Sequence, residues 1–288
     1  MIPRPFEYHA PTSLNDAVKL LGDLGAEAKL LAGGHSLLPM MKLRFAEPAH
    51  LIDLGRIDAL RGIGIDGQVI RIGAMTTENE LVWSELLQQH CPLLVEAARL
   101  ISDPQVRYMG TIGGDISHGD PGNDHPALMI CLDATFVLRG PQGERTVKAV
   151  DGFFLGTYTT ALAPDEILTE IRIPIPAEGS GWCYAKLKRK TGDFATAATA
   201  VLLRMKGGQV EDVSIALTNV ADTALKARDA EGHLRGKRLD EAAIGEAARL
   251  AMAICQPAED LRGNVEYKTA MAGEMTRRAL RTAASRVH

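Results

Sequence analysis

The stretch Pro174–Gly181, PIPAEGSG, divides the chain into two segments with different hydrophobic rhythms. Proline and glycine at this density interrupt helices and strands alike. Upstream, short apolar runs alternate with helical periods. Ser13 and Asp16 form an S-x-x-D capping signature ahead of Leu14, Ala17, Val18, Leu21 and Leu24, and Gly25 supplies a stop. Lys29–Ala32 reads as a buried strand entering Gly33-Gly34, and Leu51–Leu54 as a second strand. Residues 68–73 form a strand, 77–83 and 92–101 form helices, and a further helix begins at Asp124 with Pro126 in its first turn. Strands are expected at 134–139 and 166–173.

Downstream, Trp182, Tyr184, Lys186 and Lys188 alternate with Cys183, Ala185 and Leu187, and two further alternating runs surround Val201–Met205 and Val213–Leu217. Helical periods follow near 240–254 and 265–285. Mixed strands and helices, then a sheet followed by helices, give an α+β chain in two parts.

With 288 residues, 46% of them hydrophobic, the chain has enough material for two globular parts. A net charge of −4 argues against general affinity for nucleic acid. No apolar run reaches the ~20 residues of a transmembrane helix, and the N-terminus lacks the apolar core of a signal peptide. Cys91, Cys131, Cys183 and Cys255 are scattered without CxxC spacing, which fits reduced thiols better than an iron–sulfur cluster or a zinc ribbon.

The formal G-x-G-x-x-G at Gly62–Gly67 leads into a strand, so it reads as a hairpin with an Asp66-Gly67 turn and not as a dinucleotide fingerprint. Ala32-Gly33-Gly34-His35-Ser36 is different. It follows a buried strand and precedes a short helical stretch at 37–43, so its bare amides and the Ser36 hydroxyl suit a phosphate. Thr111-Ile112-Gly113-Gly114-Asp115 opens a glycine-rich stretch that reads as one long loop through Asp124 and offers a second set of amides. Asp124 is placed to accept hydrogen bonds from a sugar or an adenine edge. Ordinary turns are the alternative reading of each motif alone. His118, Asp120, Asp124 and His125 can be drawn as a metal site, but backbone contact explains the surrounding glycines better. Lys186 and Lys188 share a face with Tyr184, where they meet a phosphate or an acidic group unless they form a solvated edge. No catalytic triad, HExxH, P-loop or general acid–base pair appears, so a cofactor would carry any chemistry.

The motifs AGGHSLLP at 32–39, TIGG at 111–114, DPGNDHPAL at 120–128, EILTEIRIP at 166–174, Lys186–Ala195 and Glu266-Tyr267-Lys268 resemble, in order, the FAD-binding medium subunits of molybdenum hydroxylases. YMGT at 108–111, GDPGND at 119–124 and KLKRK at 186–190 are most similar to the carbon monoxide dehydrogenase branch. The resemblance implies an FAD-binding domain of two α/β subdomains of the vanillyl-alcohol-oxidase (PCMH-like) type, at residues 1–55 and 56–176. A C-terminal α+β domain with a three-stranded antiparallel sheet would cover residues 177–288. It implies that Ala32, Gly33, Gly34, His35, Ser36, Thr111, Ile112, Gly113, Gly114 and Asp115 hold the diphosphate and its flanks. Asp124 would meet the ribose–adenine half, Leu168 and Lys186 would line the cofactor, and Asp193 and Phe194 would lie near the isoalloxazine ring.

One departure stands out: the family pattern has Asn where this chain has Asp115. A carboxylate beside phosphates is unfavourable unless paired, so the amide of Asp115 is the implied ligand. The resemblance further implies a molybdenum-containing large subunit, an iron–sulfur small subunit, an external quinone-like electron acceptor and a dimer of heterotrimers. A cytoplasmic location, with peripheral contact at the inner membrane face, goes with it. Three other readings stay open: a medium subunit for nicotinate, purine or aromatic-CoA substrates, a flavin-free assembly or scaffold protein, and a stand-alone flavin oxidase or dehydrogenase.

Overall fold

The computed structural model describes residues 2–288. The first 53 residues hold β1 (Glu7–His9), α1 (Leu14–Leu24), β2 (Ala28–Leu31), α2 (Leu37–Leu43) and β3 (His50–Asp53). Its three strands form a parallel sheet in the order β1-β3-β2. Ser13 caps α1 by accepting from the Asp16 amide, and the helix buries Ala17, Val18 and Leu21 against the sheet.

The next stretch contains β4 (Ile63–Asp66), β5 (Val69–Gly73), α3 (Glu78–Trp83), α4 (Glu85–His90), α5 (Pro92–Leu100), α6 (Pro104–Met109), α7 (Ile112–His118), α8 (His125–Cys131), β6 (Thr135–Gly140), β7 (Gly143–Lys148), β8 (Phe154–Gly156), β9 (Thr159–Thr160) and β10 (Ile167–Pro174). Five of these strands form an antiparallel sheet in the order β4-β5-β10-β6-β7, with β8 and β9 as a separate hairpin. The β4–β5 pair turns at Asp66-Gly67, so the glycine pattern there is a hairpin. Thr77 and Glu80 form a reciprocal capping box on α3, and Pro92 occupies the first position of α5. Leu93, Leu94, Ala97 and Ala98 of α5 pack into the same core as Phe136 and Phe153.

The C-terminal part contains β11 (Gly181–Leu187), β12 (Ala197–Lys206), β13 (Gln209–Thr218), β14 (Leu225–Lys226), α9 (Arg228–Leu234), α10 (Glu241–Ala253) and α11 (Val265–Ser285). The expected three-stranded antiparallel sheet gains a fourth, two-residue strand, β14, beside β13. Ala272, Ala279, Leu280 and Ala283 of α11 pack against Val201, Leu203 and Ile215 of the sheet. On β11 the opposite face carries Tyr184 into the first core, so this sheet is buried on both sides.

One expectation fails here. The second Gly-Gly motif is not in a loop: Ile112–His118 is helix α7, with Thr111 as its cap. Two glycines, Asp, Ser and His give this segment poor intrinsic propensity. The Thr111 hydroxyl, which accepts from the Gly114 amide, and burial of Ile112 and Ile116 outweigh that deficit.

Candidate functional site

A cleft of ≈ 630 Å³ runs between the three parts of the chain, a size typical of small-molecule sites. The turn after β2 and helix α2 form one wall. Helix α7, the Asn123-Asp124 pair and the β8–β9 hairpin form another. Leu168 on β10 and Lys186, Asp193 and Phe194 from the C-terminal part close it. A second hollow, ≈ 710 Å³, lies over β4, β5 and β10, but its Arg71 and Arg172 are already paired with Glu170.

Every residue of the expected set lines the first cleft except Ile112, whose side chain is fully buried in the core. The Gly33-Gly34 turn abuts the entry to α7. A Cβ on Gly33 would overlap the Met109 carbonyl oxygen and lie 2.8 Å from the Gly110 Cα, and a Cβ on Gly114 would lie 3.5 Å from that of Ala32. Only glycine permits this approach of residues 33 and 110.

The two motifs nevertheless do different work. Among the described residues, the amides of Gly33, Gly34, His35 and Ser36 donate to no acceptor in the protein, and Gly34 has φ +75°. Ser36 precedes α2 without making a side-chain cap. These residues are half-buried or exposed at the cleft wall, so their unpaired amides are open to water or to a ligand. The second motif, at the start of α7, offers no such set. The Ile112 amide donates to Thr76, Gly113 to Ala74, Gly114 to the Thr111 hydroxyl and Asp115 to the Thr111 carbonyl. The expected second set of amides, Asp115's included, is therefore spent inside the protein. Gly113 instead allows close packing, because a Cβ there would lie 2.6 Å from the Ala74 carbonyl oxygen.

Beneath this wall lies a buried polar cluster. His125 Nε2 lies 2.9 Å from both carboxylate oxygens of Glu78. Burial opposes the charge on His125, but the Glu78 carboxylate, by charge and by hydrogen bond, holds its pKa up at about 9. Asp124 accepts from the Tyr184 hydroxyl at 2.5 Å and from Lys186 Nζ at 2.6 Å, and Lys186 also reaches the Leu100 carbonyl. The acidic partner that Lys186 was expected to meet is thus this internal carboxylate. Burial and the Asp124 charge push the Tyr184 hydroxyl well above its ordinary pKa.

Asp115 Oδ1 is fully buried with no hydrogen-bond partner, as is His125 Nδ1. Burial pushes the Asp115 carboxyl up to about 8; His125 works against that rise, while Glu78, Asp124 and Asp120 add to it. Burial thus favours the neutral acid at Asp115, which lessens the charge it sets against a phosphate. Its unfolded reference is 3.8, so the folded chain holds this proton more tightly. Stability is lost as pH rises from about 4 to about 8 and then levels off. Asp115→Asn removes this effect, so its stabilising gain grows between pH 5 and pH 8. Urea midpoints of both proteins at the two pH values measure this, and a gain independent of pH would contradict it.

Asp193 is held down at about 2 by hydrogen bonds from Arg262 and, against its burial, from Arg189. The Arg262 guanidinium lies 5.5 Å from the centroid of the Phe194 ring. This arrangement fixes the 193–194 segment at the cleft edge. The four residues drawn as a metal site take separate partners: Glu78 for His125, Lys186 for Asp124, the Tyr158 ring beside His118, and the Gly122 amide for Asp120. The sequence reading missed Tyr158, which lines the cleft from the β8–β9 turn at φ +56° and whose amide donates to Gly119. No pattern marks it, because hairpin placement alone brings it there.

The family described as the FAD-binding domain in molybdopterin dehydrogenase matches residues 4–176, and the CO dehydrogenase flavoprotein C-terminal domain matches residues 182–283. The chain belongs to the FAD-binding medium chains of the molybdenum hydroxylases. The carbon monoxide dehydrogenase medium chain of Hydrogenophaga pseudoflava is 62% identical over 99% of both chains. The nicotine 6-hydroxylase medium subunit of Paenarthrobacter nicotinovorans is 34% identical over 97% of both. Among solved structures, carbon monoxide dehydrogenase from Hydrogenophaga pseudoflava superposes with a TM-score of 0.99 at 63% identity over the whole of both chains. Quinoline 2-oxidoreductase from Pseudomonas putida 86 reaches 0.94 at 34% over 99% of both. This medium chain is accordingly an FAD-binding oxidoreductase subunit that works with large and small subunits. No helix among its described residues is long and apolar enough to cross a membrane.

Proposed function

We propose that this medium chain carries the FAD of a carbon monoxide dehydrogenase and passes electrons from an iron–sulfur small subunit to a quinone-like acceptor outside the complex. The observation that carries the cofactor reading is the row of unpaired amides at Gly33–Ser36 facing a cleft of cofactor size. The substrate reading is supported by 62% and 54% identity to two carbon monoxide dehydrogenase medium chains, against 34% for relatives named for other substrates. A molybdenum-bearing large subunit oxidises carbon monoxide, and the assembly is a dimer of heterotrimers, cytoplasmic with peripheral contact at the inner membrane face. We divide the chain at residues 1–55, 56–176 and 177–288, a reading supported by the separate sheets that these stretches contain.

Bound FAD supplies chemistry that can take up electron pairs and release them singly or together. The protein's part is to bind and orient. Gly33, Gly34, His35 and Ser36 donate their amides to the diphosphate, while Thr111, Gly113 and Gly114 set the opposite wall close against it. Asp115, whose carboxyl burial raises toward the neutral form, repels that anion less than an exposed carboxylate would. Asp124, held by Tyr184 and Lys186, would face the ribose–adenine half, Ala32 would flank the diphosphate, Leu168 would line the cofactor, and Asp193 and Phe194 would lie near the ring. The test is purification of the whole enzyme from its native host. Three subunits, released FAD and carbon monoxide-dependent reduction of a quinone analogue are expected. A colourless medium chain, or a complex that oxidises a heteroaromatic compound but not carbon monoxide, contradicts the proposal.

A further inference from the structure

Away from the cleft, Glu7, His9 and His50 converge on one side of the parallel sheet. Register brings them together. Glu7 and His9 are two apart on β1 and share a face, and Glu7 pairs directly with His50 on β3. His9 Nε2 lies 3.2 Å from His50 Nδ1, and His50 Nδ1 lies 3.4 Å from Glu7 Oε2. Zinc ligands at about 2.0–2.1 Å in a tetrahedron stand about 3.3–3.4 Å apart, the edge of that figure. The two imidazole nitrogens, hydrogen-bonded to one another, therefore stand at nearly the spacing that a shared metal imposes, and the Glu7 carboxylate beside His50 offers a third donor. The His50 side chain is 17% exposed and that of Glu7 75%, so ions enter from the Glu7 side and the fourth position opens to water.

We propose that Glu7, His9 and His50 form a binding site for a late first-row divalent cation, Zn²⁺ in the first instance. Two imidazoles with one carboxylate favour zinc over Mg²⁺, which prefers an all-oxygen octahedron. Strand β1 is three residues long and belongs to the sheet only through β3. A metal bridging residues 7, 9 and 50 ties the N-terminal strand to the sheet and closes a loop of some forty residues.

The test is calorimetric titration of the untagged full-length chain with ZnCl₂, repeated with MgCl₂ and with His9→Gln and His50→Gln. One saturable zinc site in the micromolar range or tighter is expected, with no magnesium site and at least a tenfold loss of zinc affinity in each variant. X-ray absorption at the zinc edge should show nitrogen and oxygen neighbours without sulfur, which separates this site from the four cysteines. Zinc should raise the unfolding temperature of the wild type and not of the variants, whose circular dichroism should match the wild type. Absence of a site tighter than millimolar, sulfur in the zinc shell, or full zinc affinity in His9→Gln would overturn the proposal.

Discussion

Gly33→Val yields a medium chain with sharply reduced flavin. The substitution places a Cβ into the Met109 carbonyl oxygen and against Gly110 Cα. Both obstacles are backbone, so neither can move aside as a side-chain end would. Relief requires the 33–36 turn to swing away from α6 and α7, taking with it the amides that face the cleft. A displacement costing about 1–3 kcal/mol weakens FAD binding by about five- to about 150-fold. The physical reason differs from simple obstruction of a phosphate by a side chain: the glycine is needed because one wall of the cleft leans on the other. Gly114→Val acts through a different contact, since its Cβ would lie 2.8 Å from the Thr111 hydroxyl that caps α7. Visible flavin absorbance per protein, read after desalting, measures both variants. Wild-type flavin content in Gly33→Val would show that the turn does not hold the cofactor.

Lys186→Met destabilises the chain by about 3–5 kcal/mol, the usual penalty for leaving a buried charge without its partner. The Lys186 side chain is 1% exposed and that of Asp124 7%, so neither charge has water to fall back on. Removing the ammonium leaves Asp124 with only the Tyr184 hydroxyl. Adding Asp124→Asn to Lys186→Met removes the stranded charge, so the double variant recovers part of the loss. Denaturant melts of the two single variants and the double variant measure the coupling. A loss under 1 kcal/mol for Lys186→Met, or strict additivity, would mean that the pair is not an isolated buried unit. Flavin content should fall in Lys186→Met as well, because β11 and the loop before α8 both line the cleft.

Much of the fold was legible from local signals. The Ser13 cap, the Thr77 helix start, Pro92 at the head of α5 and the Asp66-Gly67 turn all follow from side-chain chemistry within four residues. Alternation in 182–188 correctly separated Tyr184 and Lys186 from Cys183 and Ala185. Helix α7 was not legible, because tertiary burial of Ile112 and Ile116 overrides the weak propensity of Gly113 and Gly114. Nor could the sequence tell which amides are free. That depends on the Ala74 and Thr76 carbonyls, which lie nearly forty residues upstream yet accept from Gly113 and Ile112. The same holds for Asp124, whose carboxylate was visible as a candidate while its Lys186 partner, sixty-two residues away, was not tied to it. Asp115 shows the converse: its departure from the family pattern was visible, but its burial, and the raised carboxyl pKa that follows from it, needed the fold.

The central claim is that FAD is held by the amides of residues 33–36 and only framed by those of 112–115. Amide hydrogen exchange on the full-length chain, with and without FAD, tests it most directly. The amides of Gly33–Ser36 should exchange freely in the flavin-free chain and slow sharply when FAD binds, while those of Ile112–Asp115 should be protected in both states. Unchanged exchange at 33–36 on saturation with FAD, or new protection confined to 112–115, would contradict the account.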